Sequence, residues 1–280
     1  MSPTRRAAGL LAPLLLVSGL GCSSASPSKE TDRAAGSSPH ASVTSAPPAP
    51  VVPRVGSCHT LSVAQATDPV DTGEPVPCRR PHTSVTVKVG QLSPVVDGHL
   101  LAVDSRTVRA QIEHACPDDP GRHVGGDQTT QRLSRFEVVW FSPSLEQADA
   151  GANWFRCDVV ALRSEGKLLQ LPARVKGALD RTDALDRFGT CGTATAPDAG
   201  GFSRVVCSER HRSRAVGVFD LPRDARYLAK DVEADGNSAC KDVAAKRANG
   251  DLKYTWSFEW PTRAQWAAGQ RYGYCWVPES

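Results

Sequence analysis

The sequence predicts an α+β fold: two tandem disulfide-stapled modules, each a small antiparallel sheet packed with one main helix and one short helix. Three observations carry this expectation. Beyond Cys22 there are eight cysteines in two ladders, Cys58, Cys78, Cys116, Cys157 and Cys191, Cys207, Cys240, Cys275, spaced 20, 38, 41 and 16, 33, 35 apart. Their surroundings agree in register. Cys78-Arg-Arg-Pro-His82 matches Cys207-Ser-Glu-Arg-His211, and each fourth cysteine follows a proline by 14 residues (Pro143, Pro261), a glutamine by 10 (Gln147, Gln265) and a glycine by six (Gly151, Gly269). Strand-like runs also outnumber helical ones without regular β-α alternation, the pattern of a mixed fold with antiparallel sheets. We read two copies of one module, 54–178 and 181–280, each a self-contained unit.

Ahead of the modules lies an export signal, 1–21. Arg5 and Arg6 precede a largely apolar run, Ala7 to Leu20, which is shorter than the ~20 apolar residues of a membrane span. Ser18-Gly-Leu-Gly-Cys22 resembles a bacterial lipobox, making Cys22 the expected lipid attachment site and the first residue of the mature chain; an ordinary secreted protein is the alternative. Residues 22–53 are mostly Ser, Ala and Pro, too polar to bury a core, and read as a disordered tether. The S-x-x-K within it, Ser26 to Lys29, has no S-D-N or K-T-G partner and reads as chance.

In the first module, spacing predicts a helix over Val103 to His114, a strand over Phe136–Phe141, a short helix over Pro143 to Ala150 and a strand from Trp154 to Leu162. A turn at Ser164 to Lys167 leads into Leu168 to Leu171. The second module repeats the order: strand Ala215–Phe219, helix Ala229–Ala248, strand Tyr254–Trp260, short helix Thr262–Ala268 and strand Tyr272–Val277.

An even cysteine count in an exported chain implies disulfides. Keeping bonds within each module leaves nine pairings, of which we expect first-with-second and third-with-fourth: Cys58–Cys78, Cys116–Cys157, Cys191–Cys207 and Cys240–Cys275. These would clip a loop to its following strand and pin a helix end to a strand. The competing reading of the two C-x3-H motifs is a metal site. No C-x2-C knuckle accompanies them, so no metal is expected.

At these residues the sequence resembles the actinobacterial septum-formation-related family. Gly56-Ser-Cys58 and Cys78-Arg-Arg-Pro81-His82 match its opening motifs, and Pro261, Trp266, Gly269, Arg271 and Cys275 match its closing one. The first module has Ala148 and Asn153 where the second has Trp266 and Arg271, and the second has Arg210 in place of Pro81. The resemblance implies an exported or membrane-linked protein connected with division-septum formation; it supplies no reaction.

Composition narrows the function. At 280 residues, 40% hydrophobic and net charge +3, the chain is neither a polytopic membrane protein nor wholly disordered, and nothing points to nucleic acid. There is no G-x-S-x-G, no H-E-x-x-H and no phosphate loop, and pairing leaves no free thiol, so no enzyme and no cofactor are expected. Asp118-Asp119 reads as a solvated turn or cap. His82 and His211 occupy matching positions and are candidate binding residues, although an imidazole locking its loop through a carbonyl explains them as well. Arg204, Arg210, His211, Arg212 and Arg214 form a basic run suited to anionic headgroups or acidic wall polymers. Trp266 and Arg271 are candidates for an exposed cation–π patch; core packing is the expectation for most of Trp140, Trp154, Trp256, Trp260, Tyr272 and Trp276. The expected function is a non-enzymatic cell-envelope lipoprotein at the outer face of the cytoplasmic membrane. It would bind an envelope protein or anionic wall polymer in septum formation or wall growth. The alternatives are a small-ligand or metal carrier using His82 and His211, and an envelope hydrolase whose site would show as a cleft with two carboxylates or a Ser–His contact.

Overall fold

The computed structural model describes residues 51–116 and 120–279. The export signal, Cys22, the tether up to residue 50 and the Asp118-Asp119 turn lie outside the described residues. The first half runs β1 (Cys58–His59), α1 (Val63–Thr67), β2 (Ser84–Gln91), β3 (Val95–Val96), β4 (His99–Leu100), α2 (Arg106–Ala115), α3 (Gly121–Val124), α4 (Gln128–Leu133), β5 (Phe136–Phe141), α5 (Leu145–Asp149), β6 (Trp154–Ser164) and β7 (Lys167–Leu168). The second runs α6 (Ala184–Phe188), β8 (Thr190–Gly192), β9 (Arg204–Val206), β10 (Ser213–Asp220), α7 (Lys230–Arg247), β11 (Ser257–Glu259), α8 (Arg263–Ala267) and β12 (Tyr272–Pro278).

Among the described residues the strands form two five-stranded antiparallel sheets and a separate two-stranded one, β3-β4. The first has order β1-β2-β6-β5, with β7 pairing β6; the second has order β11-β12-β10-β8-β9. In each, the strand after a C-x3-H loop pairs with the strand carrying the fourth cysteine, and the ladder shifts register at one place, between Thr86 and Lys88 or between Ala215 and Gly217. The sheets also differ: the second adds β9, and the first half carries the further short helices α1, α3 and α4, which the one-main-plus-one-short-helix expectation omits; α4 packs on β10 of the second sheet.

Local chemistry explains the helices. The Ser105 hydroxyl accepts from the Val108 amide and caps α2, so the helix starts three residues later than its apolar spacing suggests, leaving Val103 buried in the turn before it. Val108 and Ile112, one turn apart, are fully buried against the sheet. α5 and α8 open with the same capping box, Ser144 with Gln147 and Thr262 with Gln265, which accounts for the repeated glutamine in the sequence. α7 carries Asp231 and Glu233 in its first turn and Lys246 and Arg247 in its last, matching the helix dipole. Val232, Gly236, Cys240 and Ala244 line its buried face. Gly236 is required there, because a Cβ would lie 2.5 Å from the Phe258 ring. The expected strand from Tyr254 is shorter than its composition suggests: Tyr254 and Trp256 pack ring to ring at 5.8 Å, and the ladder begins only at Ser257.

Four disulfides tie the layers: Cys58–Cys78, Cys116–Cys157, Cys191–Cys207 and Cys240–Cys275, the pairings expected from the sequence. Two of them join a helix to the central strand beneath it, α2 to β6 and α7 to β12.

The connection between the halves is part of the core rather than a linker. Ala178, Leu179 and Ala184 are buried with Phe136 and Val159, and Phe136 packs on Phe188 at 4.8 Å between ring centroids. The Arg135 amide donates to the Phe188 carbonyl at 2.7 Å, and the Tyr274 hydroxyl donates to the Arg132 carbonyl at 3.1 Å. The described residues accordingly belong to one compact unit.

Candidate functional site

Alternation along a strand sends successive side chains to opposite faces. In β6, Phe155 and Cys157 face α2 and join its core, whereas Trp154, Arg156 and Asp158 lie on the other face. That face holds a buried charge cluster. Arg156, 3% exposed, donates through Nη2 to Asp71 Oδ2 at 2.5 Å, and its Nε lies 3.3 Å from Asp158 Oδ1. Its guanidinium stacks 4.4 Å from the centre of the Phe141 ring. Asp158 accepts from the Ser84 hydroxyl at 2.6 Å, and Asp71 Oδ1 accepts from the Gly73 amide at 2.9 Å. His59, on β1, places Nδ1 3.6 Å from Asp71 Oδ2 and makes no hydrogen bond through either nitrogen. Burial first, and then the Arg156 guanidinium, push the His59 imidazole below its usual range and keep it neutral against the pull of the carboxylates. His59, Asp71, Trp154 and Arg156 form one wall of a cavity of about 870 Å3 whose mouth carries Arg54 and Glu74.

The same positions in the second sheet are filled differently. Counting from the paired cysteines, Gly192 stands for His59, Ser213 for Ser84, Tyr274 for Arg156 and Trp276 for Asp158. Trp276 is fully buried, meets Phe202 edge-on at 5.2 Å and donates through Nε1 to Glu259 Oε2 at 2.9 Å. A Cβ on Gly192 would lie 2.3 Å from the Phe202 ring, so this sheet has no room for a histidine. One scaffold face fills these positions with aromatic rings beside the Arg204–Glu259 pair; the other fills them with charges against a cavity.

A second concavity, about 400 Å3, lies where the halves meet. Its wall carries Arg132, Arg135 and Arg204, the rings of Tyr272 and Tyr274, and Gln265 and Gln270, with Glu137 as its one carboxylate among the described residues. Arg132 and Arg204 pair with Asp220 and Glu259, which are not part of that wall. Their guanidiniums stack on Tyr272 and Tyr274 at 4.5 and 5.0 Å. Burial lowers the Arg135 pKa, and the nearby Arg204 charge lowers it further against the opposing pull of Glu137; burial raises that of Tyr274.

The residues singled out in the sequence are dispersed. His82 is 1% exposed, and its Nδ1–H donates to the Arg80 carbonyl at 2.8 Å; the His211 Nδ1–H donates likewise to the Glu209 carbonyl at 2.7 Å. Both imidazoles lock the loop beside a disulfide. His211 Nε2 faces Glu279 at 3.0 Å. Among the described residues one trio has metal-ligand spacing, Cys191, His211 and Glu279, and it excludes His82. Its sulfur is consumed by the Cys191–Cys207 bond, which leaves two donors, so the trio does not suit a metal in the oxidised protein. The basic run does not form one patch. Arg210 and Arg212 are exposed, but Arg214 is tied to Glu279 and Asp186, and Arg204 turns to the cleft. Burial pushes the Glu279 carboxyl up; hydrogen bonds from Arg214, His211 and Arg247 outweigh this and hold it below the usual range. Arg271 does stack on Trp266, at 4.0 Å, while its Nη1 donates to the Trp266 carbonyl at 2.7 Å. Of the aromatics assigned to the core, Trp154 and Trp276 are buried; Trp140, Trp256, Trp260 and Tyr272, at or just beyond the ends of β5, β11 and β12, are half-buried.

The charge cluster was missed, although a signal exists. Arg156 and Asp158 flank Cys157 inside an otherwise apolar strand, Trp154 to Leu162, where a solvated pair is out of place. Asp71 has no such signal, since only the fold of the loop after α1 brings it to Arg156. Among the described residues, no helix is long and apolar enough to cross a membrane.

No curated protein and no solved structure matches the chain. A family model described as septum formation matches residues 127–275, a segment that starts beside α4, contains almost all of the interdomain-like cleft and ends at the last cysteine. The match covers more than half of the 280 residues. The chain belongs to the septum formation family.

Proposed function

We propose that this protein is an exported, non-enzymatic binding protein of the cell envelope that takes an anionic wall polymer in the cleft between its two sheets. Family membership supports a role in septum formation or the envelope, and four disulfides fit an oxidising compartment. In this reading Cys22 carries a lipid that holds the chain at the outer face of the cytoplasmic membrane, and 22–53 is the tether. The two sheets descend from one duplicated module; shared strand order, disulfide positions and the paired histidine locks support that.

The observation that carries the binding role is the cleft wall: three guanidiniums to one carboxylate, two of them on tyrosine rings, with glutamine amides alongside. Arg135 and Arg204 are near enough to repel, and an anion between them relieves that repulsion. Amides and aromatic rings supply hydrogen bonds and stacking for sugars. The test is cosedimentation of the oxidised protein with isolated walls, intact or stripped of acidic polymer. We expect retention that falls with salt, disappears on stripped walls and drops ~10-fold, ~1.4 kcal/mol, in the Arg135→Gln/Arg204→Gln double variant. Retention indifferent to salt and to both substitutions would overturn the reading, as would turnover of wall material. Cys22→Ala should release the protein from the membrane; continued membrane association would exclude the anchor.

A further inference from the structure

We propose that the cavity in the first sheet is a second binding site, for a small ligand carrying a protonated amine, with the ammonium seated against Asp71 and His59. This site is separate from the polymer cleft, and its failure would leave that reading standing.

The argument begins with energetics. Replacing a buried ion network by well-packed apolar side chains is commonly neutral or stabilising. The second sheet puts rings, Tyr274 and Trp276, on the scaffold positions of Arg156 and Asp158, and its ion pair, Arg204–Glu259, lies off those positions and is less buried. The first sheet keeps the costlier arrangement and leaves a cavity of about 870 Å3 next to it. Its polar groups are also incompletely used. His59, 4% exposed, has both ring nitrogens without a hydrogen bond, and buried Trp154 Nε1 has none either. Unsatisfied buried groups are disfavoured unless a partner arrives.

Charge selects the partner. The cavity lining itself is balanced, Asp71 and Glu74 against Arg54 and Arg156, and the fully buried Asp158 behind Arg156 adds one negative charge. With His59 neutral and its Nδ1 side turned to Asp71, Nε2 is the ring's acceptor. An excess carboxylate and a bare imidazole acceptor suit an ammonium donor. A divalent cation is not favoured, because these residues do not group at metal-ligand spacing. The cavity admits a group the size of an amino sugar or amino-acid side chain.

The experiment titrates the full oxidised protein with glucosamine and, separately, with glucose, which lacks only the amine, by calorimetry and ligand-observed NMR. We expect saturable glucosamine binding with a Kd of ~1 mM or tighter and glucose at least ~10-fold weaker. His59→Leu should abolish glucosamine binding while leaving the melting temperature unchanged or raised, since it removes an unsatisfied buried polar group. Glu74→Gln, at an exposed position that cannot unfold the chain, should weaken binding ~2–3-fold at low salt. No binding of either sugar, equal binding of both, or binding retained in His59→Leu would each overturn the proposal.

Discussion

Arg156→Leu tests whether the charge cluster is a dry, mutually dependent network. The guanidinium is 4% exposed and holds two carboxylates, Asp71 at 3% and Asp158 at 0% side-chain exposure. Leucine fits the apolar part of the space beside Phe141 but strands both acids. Each keeps one other donor, Gly73 or Ser84, so neither loses all its partners. Breaking a buried pair by removing one partner costs ~3–5 kcal/mol, a large part of the ~5–15 kcal/mol that stabilises a domain. For a chain of this size that is a melting-temperature loss of ~6–20 °C. The pH dependence supplies an internal control. Neutralising a stranded acid removes the cost of burying its charge, so the deficit should shrink as the pH is lowered. Circular dichroism melts of the oxidised protein at several pH values read both effects. The exposed Arg163–Glu209 pair, with side chains 50% and 35% accessible, is the reference, and Arg163→Leu should leave the melting curve nearly unchanged. If Arg156→Leu does no more than that, the cluster is hydrated and the reasoning about its burial fails.

Three other outcomes follow from the same structure. His59 is held below its ordinary pKa, so the unfolded state takes up the proton first; stability should fall as pH drops below ~6.5, and His59→Leu should flatten that limb of a melting-versus-pH curve. Converting Cys240 and Cys275 together to alanine opens a 35-residue separation and should cost ~4 kcal/mol, against ~3 kcal/mol for Cys191 and Cys207 with a separation of 16, measured by urea unfolding under non-reducing conditions. Gly236→Ala should destabilise by ~1–2 kcal/mol even though alanine favours helices by ~1 kcal/mol. Its Cβ would meet the Phe258 ring at 2.5 Å, and that ring cannot retreat because it already lies against Gly273. A rise in stability would show the ring to be mobile.

Much of this was readable from residue spacing, for physical reasons. A disulfide needs its cysteines in one place in every molecule, so ladder spacing carries tertiary information. A capping box repeats as Ser-x-x-Gln and Thr-x-x-Gln because the same two orphan amides recur at α5 and α8. The short helical and strand runs around them are legible through periodicity. What was not legible involves residues far apart in the chain. Asp71 reaches Arg156 across 85 positions, and Arg135 and Arg204 meet only because α4 of the first half packs on β10 of the second sheet. The basic run failed for the converse reason: Arg204 lies on β9 and pairs with Glu259, Arg214 lies on β10 and shares Glu279 with His211, and Arg210 and Arg212 stay exposed in the loop between.

By itself, then, the sequence determined the two matching cysteine ladders, the α+β class and most of the element order, since each of these is written in local spacing and side-chain type. Only the tertiary structure decided that the halves share a core, that matching positions hold rings on one sheet face and charges against a cavity on the other, and which of the arginines face a common cleft. Those outcomes depend on which side chains compete for the same buried volume, and that competition is settled only when distant segments pack together.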